Sequence, residues 1–206
     1  LGDMTFLLKK KGWEVTSTEI FAPFIEFAKK KLNVIHSKIL LENYFKEHSR
    51  KKNKKFDVVG ALGYFDILSN PLKDAKIINQ LLNKNGIIAV NIPINDSVSG
   101  ALTKLFPEDS LRQITPMDFS VFSKKSIFLM LKKAGFEVVG VWYHGLDYYE
   151  IISKLIQNTK KNRYQHDDQI KMLGGLFNEM QKVIDKNKLS DLLLICAKKV
   201  KNVNND

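Results

Sequence analysis

The stretch WEVTSTEIFAPFIEFAKK, from Trp13 to Lys30, decides how this chain is expected to fold. Residues 13–18 alternate between apolar and polar side chains, as a β-strand does, and one acidic residue, Glu19, follows directly. Pro23 then fits the first turn of an amphipathic helix. A carboxylate therefore stands between the end of a strand and the start of a helix.

The same alternation of strand and helix continues along the chain. Helices are predicted from Met4 to a stop at Gly12, after Pro23, over 38–48, from Pro71 to Gly86, from Ser123 to Ala134, and within 165–186. Strands are predicted over 13–18, 34–36, 56–61, 87–92, 136–142 and 191–198. Such alternation with short turns indicates an α/β fold with a mainly parallel sheet and helices on both faces.

The composition bounds the class of protein. The 206 residues suit one domain, and 44% hydrophobic with 27% charged residues indicates a globular chain without a membrane span. A single cysteine, Cys196, cannot form an internal disulfide, which favours a reducing compartment such as the cytoplasm. The first apolar run precedes its positive charges, so no signal peptide is predicted.

The formal charge of +11 raises the question of a nucleic-acid partner. The lysines are scattered, and the one dense run, RKKNKK at 50–55, has no interleaved aromatic residues. A solvated loop explains that run better than a nucleic-acid surface does.

The position of Glu19 suggests a ligand. In parallel α/β sheets, ligands bind outside the carboxyl ends of the strands, where an acidic residue can accept hydrogen bonds from ribose hydroxyls. A carboxylate that interacts with the dipole of the following helix is an equally good explanation. Gly2 would let a ligand approach the first helix closely, or it is only a turn.

Several segments, in their order, resemble the class I S-adenosylmethionine-dependent methyltransferases. LGDMTFLLKKKGWEVTSTEI resembles the region that follows the first strand of that family, and FDVVGALGYFDILSNPLKDAKIINQLLNKNGIIAVNIP resembles its fourth strand, the next helix and its fifth strand. FSKKSIFLMLKKAGFEVVGVWY and SDLLLICAKK resemble its sixth and seventh strands with the helix between. The resemblance covers almost the whole chain.

The resemblance implies a Rossmann-like, doubly wound sheet with an antiparallel last strand and a helical insertion between the last two strands. It implies S-adenosyl-L-methionine as the cofactor, without a metal. Gly2 matches the last glycine of the family's GxGxG loop, Glu19 and Ile20 match the ribose side, and Ala61, Leu62 and Gly63 match the methionine side.

This sequence also departs from the family pattern. The first strand and the first two loop glycines would precede Leu1, so residues upstream are expected in the natural protein. Lys38 stands near the place of an acidic residue beside the adenine, and Ile67 replaces a histidine after the fourth strand. A second family histidine is replaced in the Met117–Asp118 region. Imidazole catalysis at those positions is therefore not expected.

The acceptor side is expected from two long connections that leave strand carboxyl ends, residues 93–122 and 143–189. The second contains a predicted amphipathic helix with Ile170, Leu173, Phe177, Met180 and Ile184. We expect these connections to form a cap over the acceptor within one methyltransferase-like domain, 1–206. A helix packed on the flank, or a dimer surface, is nearly as good an explanation.

Candidate bases for removing a proton from the acceptor are Asp66, Asp118, His144 and Asp147. A free imidazole titrates near pH 6.5, which suits proton transfer, although a surface histidine is the simpler reading of His144. Asp66 could instead anchor its loop.

The leading functional hypothesis is methyl transfer to an oxygen or nitrogen of a small molecule. The alternatives are an RNA methyltransferase, motivated by the charge, and a degenerate, non-catalytic binding domain. A nicotinamide dehydrogenase shares the glycine and acid pattern but not the resemblance over the fourth and last strands. The acceptor and the oligomeric state are not encoded in any recognisable motif.

Overall fold

The computed structural model describes residues 2–50, 55–106, 119–162 and 167–203, and the chain divides into two compact units, Leu1–Lys54 and Lys55–Asp206. None of the helices within these ranges has the length and continuous hydropathy that a bilayer-spanning segment needs. Each unit is described by itself below.

The first unit contains three helices, α1 (Asp3–Lys10), α2 (Ala22–Leu32) and α3 (Leu41–Arg50). The strands predicted over 13–18 and 34–36 are reduced to one parallel bridge between Thr18 and Ser37. Its two hydrogen bonds run from Glu19 N to Ser37 O, at 3.1 Å, and from Ser37 N to Ser17 O, at 2.9 Å. A parallel pair of extended segments gains little from so few slanted bonds, which explains why neither segment is assigned as a longer strand.

The second unit carries a four-stranded sheet in the order β1-β2-β4-β3. The β1–β2 pair is parallel, and β4 is antiparallel to both β2 and β3, so three strands share one direction and the last one runs against them. The strands are β1 (Phe56–Leu62), β2 (Leu82–Pro93), β3 (Phe136–His144) and β4 (Leu192–Lys199); the helices are α4 (Pro71–Leu81), α5 (Val98–Leu105), α6 (Lys124–Lys133), α7 (Asp147–Asn162), α8 (Asp167–Gly175) and α9 (Phe177–Lys186).

The sheet confirms the predicted Rossmann-like class with an antiparallel last strand. Along β4, Leu193, Ile195 and Ala197 are fully buried while the residues between them are half-buried, as the period of two requires.

Helix starts follow the capping residues seen in the sequence. Asn70 accepts a hydrogen bond from Lys73 N at 3.1 Å, and Ser123 forms a capping box with Ser126.

Two boundaries differ from the prediction. Helix α4 ends at Leu81 instead of Gly86, and β2 begins at once with Leu82, which is fully buried and pairs with Phe56. An irregularity in the register between β1 and β2 absorbs residues 83–86, so the glycine lies inside an irregular strand and does not end a helix.

The single helix predicted within 165–186 is two helices, α8 and α9. The break falls at Leu176, directly after Gly174 and Gly175 at the end of α8, because adjacent glycines lose the most backbone entropy in a helix.

A buried carboxylate, Asp147, fastens the helices of both long connections to the end of the sheet. Its Oδ1 accepts hydrogen bonds from Ser99 N (2.9 Å) and Ser99 Oγ (2.8 Å), and its Oδ2 accepts from Asp191 N (2.9 Å) and Gln181 Nε2 (3.4 Å). Gln181 Oε1 in turn accepts from Tyr148 N at 3.0 Å. One fully buried side chain therefore joins α5, α7, α9 and the start of β4.

Replacing Asp147 with alanine should lower the free energy of unfolding by about 2–4 kcal/mol, because several buried donors would lose a charged acceptor. Urea denaturation followed by circular dichroism measures this loss. Asp168→Ala, at a side chain that is 95% exposed, should change the free energy by less than about 0.5 kcal/mol. Equal midpoints for the two variants would show that the Asp147 network is not a structural tie.

Candidate active site

The Glu19 carboxylate is fixed at the tip of its extended segment. Its Oε1 accepts hydrogen bonds from Ile20 N at 2.7 Å and from Phe21 N at 2.9 Å, and Phe21 is the residue that precedes α2. A carboxylate oxygen bound to two backbone N–H groups has little freedom to turn. The second oxygen, Oε2, keeps its capacity to accept hydrogen bonds from a ligand.

Gly2 lies at the start of α1, next to His36. Its φ of 98° is in the left-handed region, and a Cβ there would stand 3.0 Å from both Ala28 Cβ and His36 Nε2. Side chains other than hydrogen therefore do not fit without displacement. Glycine has no side chain that could cap α1, so no side-chain cap bonds the first backbone N–H groups of this helix.

His36 is a part of this site that the sequence analysis treated only as the end of a strand. Both of its ring nitrogens are buried, and neither has a hydrogen-bond partner among the described residues. Burial lowers the pKa of the imidazole, and the nearby Glu19 carboxylate partly opposes that effect. The imidazole thus lies next to the Gly2 turn and close enough to Glu19 to feel its charge.

In the second unit, the expected methionine-side residues close β1. Ala61 is buried and pairs with Val90, whereas Leu62 is exposed at the strand tip. Gly63 turns the chain with a φ of 57°, and its N–H donates to Asn91 O at 3.0 Å. The backbone at the tip of β1 is therefore turned sharply while it stays bonded to β2.

The loop after Gly63 is held on two sides. The Tyr64 hydroxyl donates to Asp74 Oδ2 at 2.5 Å, in the first turn of α4. The Asp66 carbonyl accepts from Phe119 N at 2.9 Å and from Ser120 N at 3.0 Å. The backbone carbonyl of Asp66 thus anchors this loop to residues 119–120, whatever its side chain does.

The candidate bases lie in different parts of the sheet edge. Asp66 lies in the loop after β1, whereas His144 ends β3, and β2 and β4 stand between those strands. Three strand spacings correspond to about 14 Å. Asp118 lies outside the described residues. Asp147, with both oxygens bonded, is the structural tie described above.

The long connections meet at this edge of the sheet. Tyr148 and Ile152 of α7 pack with Ile184 of α9, and Val98 of α5 joins them. The helices after β2 and after β3 therefore share a small apolar core next to the strand ends.

These residues fit the cofactor that the sequence suggests. A fixed carboxylate with one available oxygen suits ribose hydroxyls, and a turn without room for a Cβ suits close approach to a nucleoside. Within the described ranges, no group of three or more His, Cys, Asp or Glu side chains could hold a metal ion.

Two contacts of the site were missed by the sequence analysis, the burial of His36 beside Gly2 and the Tyr64–Asp74 hydrogen bond. A tyrosine at a strand tip, with an aspartate in the first turn of the next helix, is a spacing that could have suggested the second contact. The contact between His36 and Gly2 joins residues that are far apart in the sequence, so no local sequence pattern predicts it.

Comparison with known proteins identifies the family of this chain. A family described as a methyltransferase domain matches residues 1–141. No curated protein matches the chain. Among solved structures, an S-adenosylmethionine-dependent methyltransferase from Archaeoglobus fulgidus is 17% identical, with a TM-score of 0.59 over 96% of this chain and 81% of that one.

Two further structures are similar in fold. A possible histamine N-methyltransferase from Thermotoga maritima is 16% identical, with a TM-score of 0.57 over 97% of this chain and 77% of that one. The plantazolicin methyltransferase BamL, solved with S-adenosylhomocysteine and a desmethyl analogue, is 15% identical. Its TM-score is 0.56 over 96% of this chain and 73% of that one. Since the family match spans well over half of the sequence, the chain belongs to the methyltransferase domain family, as a class I enzyme that depends on S-adenosylmethionine.

Proposed function

We propose that this enzyme methylates an oxygen or nitrogen of a small-molecule acceptor, within a single methyltransferase-like domain. The observation that carries the proposal is the apolar core shared by α5, α7 and α9 at the carboxyl edge of the sheet. Helices packed there, and tied to β4 through Asp147, can cover an acceptor the size of a metabolite.

The cofactor residues divide by the part of the ligand that each would hold. Glu19 Oε2 would accept from the ribose hydroxyls, with Ile20 beside it, and the turn at Gly2 would admit the nucleoside closely. Ala61, Leu62 and Gly63 would hold the methionine end. S-adenosylmethionine supplies an activated methyl group whose leaving group is a neutral sulfide.

The protein's contribution to catalysis is chiefly positioning. Holding two reactants in line can lower a barrier by roughly 7–11 kcal/mol, so a base is needed only where the acceptor must lose a proton. Asp66 is the first choice, because it lies in the loop that follows Gly63. His144 is the second, and Asp118 is retained from the sequence alone.

A small acceptor is supported by two proteins of similar structure, the plantazolicin methyltransferase and the possible histamine N-methyltransferase. An RNA acceptor remains the second candidate because the chain carries a net charge of +11. Binding to a structured RNA that weakens steeply between 50 and 200 mM salt would favour that candidate.

Glu19→Gln should weaken S-adenosylhomocysteine binding at least about tenfold, because a charged acceptor of ribose hydrogen bonds becomes neutral. Isothermal titration calorimetry measures the change. Glu14→Gln, at an exposed position five residues earlier on the same segment, is the matched control and should bind as the wild type does. Equal affinities for all three proteins would remove Glu19 from the cofactor site.

Asp66→Asn should lower methyl transfer about 100-fold or more while S-adenosylhomocysteine affinity stays within twofold, since it removes a base but keeps the anchoring carbonyl. His144→Asn should cost less than about tenfold. Release of S-adenosylhomocysteine with a panel of phenols and amines, from pH 6 to 9, measures both. The reverse ranking would assign the base to His144.

A further inference from the structure

We propose that Tyr64 and Asp74 form a positioning pair that holds the turn at Gly63 against the amino-acid end of bound S-adenosylmethionine. This inference rests on the proposed cofactor site, and it gives that site two residues that the family resemblance does not include. Neither side chain acts on the transferred methyl group.

Gly63 has no side chain whose packing could fix the turn. A Cβ at this position would meet nothing within 4 Å, so open space surrounds the turn on that side. Glycine also has the widest choice of backbone conformations. The observed left-handed turn must therefore be held by the residues on either side.

Those two sides are held by different bonds. Before the turn, the Gly63 N–H is bonded to Asn91 O, which belongs to β2. After the turn, the Tyr64 hydroxyl is bonded to Asp74 Oδ2 at 2.5 Å. Phe65, which is fully buried, follows at once and anchors the chain in the core.

Asp74 is a firm point of attachment. It lies in the first turn of α4, whose start is fixed by the Asn70 cap and by Pro71. Ala75, Ile77 and Ile78, which follow, are all buried. A hydrogen bond from the loop to this carboxylate therefore ties the loop to a helix that is itself packed into the core.

The hydroxyl is suited to donate and not to act as a base. Burial raises the pKa of Tyr64 far above its ordinary value, and the hydrogen bond to the Asp74 carboxylate and its negative charge add to that effect. Tyr64 thus keeps its proton, and the bond to Asp74 stays intact, across the pH range in which enzymes are assayed.

The chemistry of two ligands provides the test. S-adenosylhomocysteine and 5′-methylthioadenosine share the nucleoside and the thioether sulfur, but only the first has an amino-acid end. If the pair positions residues 61–63 for that end, loss of the hydroxyl weakens the first ligand selectively. A general loss of stability would weaken both ligands.

Isothermal titration calorimetry of the intact protein compares the two ligands. Tyr64→Phe should weaken S-adenosylhomocysteine about five- to tenfold, in line with one lost bond to a charged group, and change 5′-methylthioadenosine by less than twofold. Asp74→Ala should act in the same way, and the double variant should be no weaker than either single one, because both remove the same bond. Tyr143→Phe removes another tyrosine hydroxyl at the same edge of the sheet and should leave both affinities unchanged.

The outcomes separate the inference from its premise. A wild-type protein that binds neither ligand would overturn the proposed cofactor site. If the wild type binds both and Tyr64→Phe weakens both equally, or neither, the positioning role is wrong while the cofactor site stands. Should Tyr64→Phe fail to fold, Asp74→Ala alone decides by the same comparison of ligands.

Discussion

The buried carboxylate of Asp147 is the constraint on which the ligand edge of the second unit depends. Its four hydrogen bonds come from α5, α9 and the first residue before β4, and Asp147 itself begins α7. A charge buried without partners would cost several kcal/mol, so the helices must stay assembled around it. The sheet and the helices beyond its carboxyl edge are thereby built as one structure.

Much of this fold was predictable because its signals are local. Apolar runs marked the four strands of the sheet, and Asn70 and Ser123 marked helix starts with short-range hydrogen bonds. Apart from the α8/α9 break at its glycines, the errors share one physical cause, which is pairing between distant segments. The buried Leu82 joins β2 because Phe56 pairs with it, and Thr18 and Ser37 pair over one position only, and neither outcome can be read from the segments alone.

The candidate site was predictable to a smaller degree. The sequence indicated which residues reach a strand tip, since that follows from strand boundaries; Gly63 does follow β1 directly, whereas Glu19 follows only the bridge at Thr18. Strand order is a different matter. The sheet separates the loop of Asp66 from His144 by two intervening strands, and only the topology shows that the two candidate bases cannot serve one acceptor atom together. Asp147 was a reasonable base by sequence position, and its complete set of donors gives it a structural role instead.

Methyl transfer from a sulfonium depends more on hydrogen-bonded groups that hold the reactants in place than on side chains that take up a proton. A sulfonium donor leaves as a neutral sulfide, so alignment of the reactants supplies most of what an enzyme can add. In this chain the groups proposed for that role are held by hydrogen bonds: a carboxylate whose Oε1 is bonded to two backbone amides, and a glycine turn bonded on one side to β2 and on the other, through Tyr64, to α4. A base can change with the acceptor while this arrangement stays the same. The acceptor specificity of the enzyme should therefore depend on the helices tied through Asp147, and its use of the cofactor on the strand tips.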